Sequence, residues 1–292
     1  MKTMYLFFAL PLLIASCGIN NNQSDAYGNF EATEVLVGAE VQGKIVEFKV
    51  EEGQLLEKGC IVGYIDTFGL NLRKLQAVSQ KDASVARLAQ VQAQIAVQEE
   101  QKKVIEQEQI RISNLVKASA APTKQLDDIN GQLNVLNGQI ASTRSQNQII
   151  ANDIKALQYQ VAQVDDLLAK STIKNPIKGM LLEKYIEAGE IVVAGKSLYK
   201  IADLSLLKLR VFVSGAQLPS IKLGQKVKIE IDKNESKNRT LDGTISWISQ
   251  QAEFTPKIIQ TKEERVNLVY AVKIDVINDG SLKIGMPGEV KF

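Results

Sequence analysis

Residues 40–66 read EVQGKIVEFKVEEGQLLEKGCIVGYID, and residues 176–202 read PIKGMLLEKYIEAGEIVVAGKSLYKIA. The two stretches share one glycine spacing, and their apolar residues fall at equivalent places between the glycines. Short alternating apolar runs punctuated by glycine are typical of β-strands joined by tight turns, where φ is positive. Because the pattern occurs twice, we interpret the stretches as two halves of one small flattened β-barrel or sandwich. The shared glycines are Gly43, Gly53 and Gly59 in the first half and Gly179, Gly189 and Gly195 in the second.

These halves resemble the lipoyl or biotinyl domain, cut apart at the hairpin that normally joins its two pseudo-symmetric halves. A carrier of lipoate or biotin presents a modifiable lysine on that hairpin, whereas the chain after Asp66 opens directly into a helical pattern without such a lysine. This departure disfavours a cofactor-carrying enzyme subunit, which stays as an alternative. It favours the branch of the fold that is found in secretion adaptors, and we therefore predict no cofactor.

Composition narrows the classes of function. The chain has 292 residues, which is room for two or three small domains. Its 35 basic and 33 acidic side chains leave a net charge of +2, so electrostatics does not favour nucleic acid as a partner. Histidine is absent, and with it the commonest general base and the commonest metal ligand. We predict no catalytic residues, no metal site and no enzymatic activity.

The N-terminus has the pattern of a secretory signal. Residues 1–16 combine Lys2 with an apolar run that is too short to span a bilayer of about 30 Å. The sequence LIASC resembles a bacterial lipobox, which implies that Cys17 becomes the first mature residue and carries lipid. An ordinary secreted protein with an incidental cysteine is the alternative.

A short polar segment follows this cysteine. Residues 17–34 are interpreted as the lipid tether and the strand that leads into the fold. Residues 18–29 read GINNNQSDAYGN, a polar, glycine-bearing composition that predicts a flexible tether between the lipid and the folded body.

A long helical segment, residues 67–170, separates the two β-halves. Glutamine, alanine and charged residues dominate it, which is typical of long exposed helices. Apolar residues in its second half recur at alternating steps of three and four, the a/d pattern of a coiled coil. The break at Ala121-Pro122-Thr123 predicts a turn, because proline restricts the residue before it and ends the first helix. Each arm has roughly 48 residues, so the hairpin should project on the order of 70 Å at about 1.5 Å per residue. The seam residues of the second arm are Leu126, Ile129, Leu133, Leu136, Ile140, Thr143, Asn147, Ile150, Ile154, Leu157, Val161, Val164 and Leu168.

Folding the two arms antiparallel at Pro122 brings polar seam residues together. Gln98 then lies opposite Asn147, and Lys102 lies opposite Thr143 in the adjacent layer. Polar residues at a/d positions fix the register of a coiled coil at some cost in stability. The coincidence favours an intramolecular hairpin over separate intermolecular coils. The same register pairs Leu88 with Leu157, Val91 with Ile154, Ile95 with Ile150, Ile105 with Ile140, Ile112 with Leu133 and Val116 with Ile129.

The sequence RISNLVKASAAPTKQLDDI at the turn resembles the hairpin tip of adaptors of the HlyD type. In that family an arginine, a leucine four residues on and a serine seven beyond engage the mouth of an outer-membrane tunnel protein. Arg111 and Leu115 match this pattern, whereas Pro122 stands at the serine position with Ser119 and Thr123 nearby. The resemblance implies that these five residues contact an outer-membrane channel. The alternative is that Arg111 is a solvated helix charge and Leu115 a packing residue.

Residues 204–292 carry short β-branched or aromatic runs bounded by Gly, Pro, Asn or Asp, which predicts a small antiparallel β-barrel. The sequence EFTPKIIQTKEERVNLVYAVKI and the closing GMPGEV resemble the barrel domain of the adaptor branch that serves ABC-type exporters. The chain stops directly after this barrel, where adaptors of the RND type continue, and this also favours an ABC-type partner. We expect Trp247, Phe254 and Tyr270 to be core or rim aromatics of the barrel.

The predicted fold class is α+β. A long antiparallel α-helical coiled-coil hairpin is inserted into a split lipoyl-like β-domain, residues 35–66 plus 171–203, which is followed by the small antiparallel β-barrel. The resemblance implies a periplasmic adaptor lipoprotein of a tripartite efflux or secretion system, anchored by lipid to the inner membrane of a diderm bacterium. Implied partners are an inner-membrane transporter of the ABC type, an outer-membrane tunnel protein of the TolC type, and further copies in a homo-oligomeric ring, commonly of six. The alternative is a structural envelope lipoprotein that uses its coiled coil as a spacer without a transporter.

Overall fold

The computed structural model describes residues 24–234, 237–254 and 268–292. The described residues divide into two compact units, one formed by Glu34–Ala202 and the other by those described before Glu34 and after Ala202. The expected signal peptide, the expected lipidation site Cys17 and the first part of the tether lie outside the described residues. So does the central part of the segment that resembles the ABC-exporter branch.

The first described strand, β1 (Ala26–Glu31), belongs to the β-barrel, and the next eight strands build the split β-domain. This domain has two four-stranded sheets, ordered β2-β9-β7-β4 and β6-β5-β3-β8. Each sheet takes two strands from each sequence half, so neither half forms a sheet alone. The strands of the first half are β2 (Glu34–Gly38), β3 (Gly43–Phe48), β4 (Leu55–Leu56) and β5 (Ile61–Ile65). Those of the second half are β6 (Thr172–Lys174), β7 (Gly179–Lys184), β8 (Ile191–Val192) and β9 (Ser197–Ala202).

Reciprocal backbone hydrogen bonds join the two halves. The amide of Gly53 donates to the carbonyl oxygen of Leu181 at 2.8 Å. The amide of Gly189, at the equivalent position, donates to the carbonyl oxygen of Ile45, also at 2.8 Å. Because equivalent positions of the repeat exchange equivalent bonds, the halves form one body. The split lipoyl-like domain of the predicted fold class is confirmed. A second equivalent pair runs from the Gly59 amide to Asn175 oxygen at 2.7 Å and from the Gly195 amide to Ala39 oxygen at 2.8 Å.

The core of the split domain contains one buried polar group of note. Tyr199 is fully buried, and its hydroxyl donates to Oδ1 of Asn175 at 3.0 Å. The Nδ2 of Asn175 in turn donates to the carbonyl oxygen of Glu57 at 3.0 Å. Burial raises the pKa of Tyr199 well above its ordinary value, so the phenol stays protonated as a donor. This network ties the first half to the second within the core of the split domain.

Two long helices fill the interval between the halves. Helix α1 (Phe68–Lys117) has 50 residues and α2 (Thr123–Lys170) has 48, so each is about 70–75 Å long at about 1.5 Å per residue. The helices start and finish side by side, because the Ile65 amide donates to the carbonyl oxygen of Ser171 at 2.8 Å. In the ranges that the structure describes, no helix combines the length and apolarity that crossing a bilayer requires.

The coiled-coil seam follows the predicted positions. Every predicted seam residue of α2 is buried or half-buried, and almost all of the other α2 residues are exposed. Val91, Ile150 and Ile154 form a buried cluster, against which Leu88 and Ile95 pack. The antiparallel hairpin is therefore confirmed. The seam of α1 shows the same alternation of steps through Leu70, Lys74, Ala77, Lys81, Ser84, Leu88, Val91, Ile95, Gln98, Lys102, Ile105, Gln109, Ile112 and Val116.

The remaining strands form a closed antiparallel barrel. Its order is β10-β1-β15-β11-β12-β14, and the pairing of β10 with β14 closes it. The fully buried side chains of Phe30, Leu209, Ile229 and Ile274 are part of its core. The predicted barrel is confirmed. Its further strands are β10 (Leu206–Ser214), β11 (Lys226–Asn234), β12 (Lys237–Ile248), β13 (Glu253–Phe254), β14 (Leu268–Ile277) and β15 (Pro287–Lys291), with a 3-10 helix at Leu218–Ser220.

Part of the predicted flexible tether is a barrel strand. Ala26 to Asn29 lie in β1, which pairs with β10 on one side and β15 on the other, so the prediction of a flexible tether through Asn29 is wrong for these residues. Gly28 makes this pairing possible, because a Cβ there would lie 1.7 Å from the carbonyl oxygen of Arg210. Of the three expected barrel aromatics, Tyr270 is half-buried against the core and Trp247 is exposed, while the Phe254 side chain lies outside the described part.

Candidate functional site

The hairpin tip, residues 111–123, begins with the end of α1. The amide of Ala120 donates to the carbonyl oxygen of Leu115 at 2.8 Å, and that of Ser119 donates to Val116 oxygen at 2.9 Å. These two bonds are those of a Schellman motif, which requires a left-handed residue after the helix. Ser119 is that residue, with φ +55°, where glycine is usual. The helix therefore stops by a defined capping geometry.

Pro122 starts the second helix. Its backbone is extended, with φ −70° and ψ 145°, and its carbonyl oxygen accepts the amide of Gln125 at 3.1 Å. A proline is tolerated at this boundary because the N–H groups of a first helical turn have no acceptor within the helix, so the N–H that proline lacks costs no hydrogen bond. The turn thus lies where the sequence places it. Ser119, Pro122 and Thr123 are all exposed.

Arg111 and Leu115 lie one helical turn apart near the end of α1. Nε of Arg111 donates to Oε2 of Glu108 at 2.8 Å, and this hydrogen bond lowers the pKa of the Glu108 carboxyl. Leu115 is exposed despite its size. An exposed guanidinium beside an exposed aliphatic group suits a polar and an apolar contact with another protein surface. All five residues predicted to contact a channel therefore lie within the tip.

The predicted register residues occupy the seam. Oε1 of Gln98 and Oδ1 of Asn147 are buried, and neither accepts a hydrogen bond. Thr143 is buried, and its hydroxyl donates to the carbonyl oxygen of Gln139 at 3.0 Å. Nζ of Lys102 lies 3.6 Å from a carboxylate oxygen of Glu106 and so leaves the seam for the surface. The seam interior is polar at these layers, and two acceptors in it lack a donor.

The six repeated glycines play two different parts. Four of them adopt positive φ in turns, where a side chain would be strained. Gly43 begins β3 instead, and a Cβ there would lie 2.6 Å from Cγ2 of Ile65, so close packing requires glycine at this position. Gly179 begins β7 at the equivalent place of the second half. The turn glycines are Gly53 (+82°), Gly59 (+83°), Gly189 (+97°) and Gly195 (+87°).

A surface groove on the hairpin was not predicted. Val104 and Val135, both exposed, lie beside Ile105, Leu136 and Gly131 and line an open groove of about 740 Å³. The two valines lie outside the a/d seam, where polar residues are usual. The sequence signal for this groove is a pair of valines outside the a/d positions with a glycine nearby, which the a/d pattern alone does not reveal.

Relatives of known sequence align with nearly the whole chain. A UPF0194 membrane protein of Yersinia enterocolitica is 26% identical over 333 residues, which cover 100% of this chain and 98% of that protein. A UPF0194 membrane protein of Yersinia pseudotuberculosis is 27% identical over 308 residues, 92% of this chain and 90% of that protein. Residues 204–290, which include most of the barrel, match the LcnD-like, C-terminal domain family.

Solved structures share the architecture. MacA from Actinobacillus actinomycetemcomitans superimposes with a TM-score of 0.60 at 23% identity, covering 91% of this chain and 76% of that one. The membrane fusion protein Spr0693 from Streptococcus pneumoniae R6 superimposes with a TM-score of 0.50 at 18% identity, covering 91% and 97%. At these identities the likeness establishes the fold.

Proposed function

We propose, from the premise that this chain has the fold of the HlyD-type membrane fusion proteins, that it is a periplasmic adaptor of a tripartite efflux or secretion system. In this role it is a non-enzymatic spacer. Its β-domains work close to an inner-membrane transporter of the ABC type, and its hairpin reaches an outer-membrane channel. The lipid on Cys17 holds it to the inner membrane, and several copies form a ring.

The observation that carries the proposal is the closed hairpin itself. Two helices of 50 and 48 residues leave the β-domain together and return to it, with no other described element along their length. Such a structure puts a small exposed tip about 70 Å from its base at about 1.5 Å per residue. A tip with an exposed arginine and an exposed leucine is suited to docking on a protein.

The test changes only the tip. Arg111→Glu combined with Leu115→Asp places two negative charges where a donor and an apolar group stood. Export by the cognate system should fall at least about tenfold, since removing central interface contacts costs more than about 1 kcal/mol each. Export is scored by complementing the phenotype of a deletion strain. Expression and far-UV circular dichroism should stay unchanged, because both residues are solvent-exposed.

The matched control makes equivalent changes of charge and polarity away from the tip. Arg87→Glu with Val97→Asp alters two exposed residues of α1 in the middle of the arm. This variant should support full export. Normal export by the tip variant, with protein levels equal to the control, would contradict the proposed contact.

Crosslinking separates the adaptor from the structural lipoprotein. A photo-crosslinking residue at Ser119 should capture an outer-membrane channel protein in the native envelope. Capture of cell-wall material or of no protein at all would favour a spacer without a transporter.

A further inference from the structure

We propose that the barrel end which holds the start of the described chain rests directly on the bilayer, with Leu223, Trp247 and Leu268 in the headgroup region. This inference rests on the proposed lipidation of Cys17, and it adds a second, non-covalent membrane contact to the proposed function. These three residues form the rim of this barrel end.

Hydrogen bonds join the N-terminal segment to one end of the barrel. Ser24 Oγ donates to Oε2 of Glu289 at 2.5 Å, and the Asp25 amide donates to the carbonyl oxygen of Val290 at 2.9 Å. The Phe292 amide donates to Oδ2 of Asp25 at 2.9 Å, and Gln217 Nε2 donates to Asp25 oxygen at 2.8 Å. The chain is thus fixed to one end of the barrel from Ser24 onwards.

The tether between Cys17 and the barrel is short. The segment from Cys17 to Ser24 spans seven residue steps in sequence, and an extended chain covers at most about 3.6 Å per residue, so the reach is about 25 Å. A lipid on Cys17 therefore keeps this barrel end within about one barrel diameter of the headgroups. Weak contacts become populated at such high effective concentration.

This end of the barrel exposes large apolar side chains. Leu223 precedes β11, Trp247 is next to last in β12, and Leu268 is first in β14; the antiparallel order puts these strand ends at the end where β1 begins. Their exposed fractions are 69%, 42% and 52%. Tryptophan prefers the membrane interface, where its ring is apolar and its N–H stays hydrated. Lys222 and Lys226, both exposed, flank Leu223 and suit phosphate headgroups.

The opposite end of the barrel supplies the contrast. It also exposes aliphatic side chains, namely Leu206, Ile277 and Ile284. Exposed apolar side chains alone therefore do not determine which barrel end lies on the bilayer. The short tether does, because it holds only one end near the lipid. Ile277, exposed by 81%, provides a matched control position.

The experiment uses the single tryptophan of the chain as the probe. The full mature protein, with lipidation verified by intact mass, is reconstituted into phosphatidylethanolamine and phosphatidylglycerol vesicles with brominated or ordinary acyl chains. Bromine quenches indole at contact distance, so Trp247 emission should fall about twofold in the brominated vesicles if the ring sits in the interface. Its maximum should also shift to shorter wavelength.

Variants then identify the contact. Leu223→Asp with Leu268→Asp should abolish the quenching while the lipid still holds the protein on the vesicles. In the Ile277→Asp variant, Trp247 emission should be quenched by bromine as strongly as in the unchanged protein. Far-UV circular dichroism checks that all three are folded.

The outcomes separate this inference from the proposed function. Equal Trp247 emission in both vesicle types, with the lipid present and the protein bound, overturns the rim contact and leaves the adaptor role standing. An emission shift that appears only in membranes containing the cognate transporter also overturns it, and assigns the rim to a protein partner. A mass without lipid removes the premise and refutes the anchor itself.

Discussion

Ser119 holds a backbone conformation that L-residues with a Cβ rarely adopt, with φ +55° in the capping motif at the end of α1. The left-handed region costs a non-glycine residue roughly 1–2 kcal/mol, and a short polar side chain reduces that penalty. The capping hydrogen bonds of Ala120 and Ser119 offset the strain. The tip is thus shaped by backbone geometry, and the side chain of Ser119 is exposed.

Replacing Ser119 by glycine should stabilise the protein. The Ser119→Gly variant removes the Cβ from the left-handed position, and we expect the free energy of unfolding of the hairpin to rise by about 1 kcal/mol. Urea unfolding followed by far-UV circular dichroism measures this. The same substitution in a helix, Ser142→Gly on the exposed face of α2, should lower it by roughly 0.5 kcal/mol. A decrease for Ser119→Gly would show that the hydroxyl is needed at the turn.

At this scale the sequence predicts the turn but not its geometry. Pro122 marks the break, because the proline ring restricts its neighbour wherever it occurs. Ser119 carries no such mark, since serine is common in every kind of loop and helix. Likewise, the sequence predicts a flexible tether at Gly28, because one glycine in a polar run does not reveal the carbonyl of Arg210 against which it packs.

The hairpin as an element contains a polar weakness in its seam. The buried oxygens of Gln98 and Asn147 have no hydrogen-bond donor, although most of the surrounding seam is apolar. An unsatisfied buried acceptor costs about 1–3 kcal/mol, whereas a polar seam residue restricts the register in which two helices pair. We infer that these polar layers lower the stability of the hairpin and restrict its two helices to one register.

Leucine at both positions should therefore stabilise the hairpin. The double variant Gln98→Leu with Asn147→Leu should raise the free energy of unfolding by about 2 kcal/mol or more, because two unpaired acceptors are replaced by packing groups. Urea unfolding measures this as well. The exposed pair Gln90→Leu with Gln158→Leu is the control and should change it by less than about 0.5 kcal/mol. Loss of stability in the seam variant would mean that ordered water satisfies both amides.

The seam could be read from the sequence because it repeats. Alternating steps of three and four persist along both helices, and polar residues occupy matching seam positions, Gln98 with Asn147 and Lys102 with Thr143. The barrel strands offered no such guide. Short alternating runs such as β10 and β14 predict strands, but nothing in them specifies that β1 inserts between β10 and β15, since strand partners are chosen by packing over a distance.

At the scale of the whole molecule, the split β-domain should fold without most of the hairpin. Nζ of Lys74 and Oδ1 of Asp165 lie 2.7 Å apart, so the two arms are already in contact there. If residues 75–164 are removed, a linker of about four glycines is long enough to span the gap of about 8–10 Å between the packed helices. The shortened chain should keep a cooperative thermal transition, since closing a shorter loop is entropically easier.

Near-UV circular dichroism reports whether Tyr199 stays packed in that chain. As a control, a deletion that starts at Val62 also removes most of β5 and should prevent folding, because Val62 belongs to the core. An unfolded 75–164 deletion would show that the hairpin is needed to assemble the β-domain. If the proposed function holds, both deletions also abolish export, since the tip is gone.

The neighbouring exits of the two arms make the span of this protein an adjustable dimension. Inserting one heptad into each arm would advance the tip by roughly 10 Å at about 1.5 Å per residue. The backbone hydrogen bond from Ile65 to Ser171 at the base would be unchanged. The distance between base and tip can thus be changed by matched insertions in the two arms alone, without any change in the base that holds them.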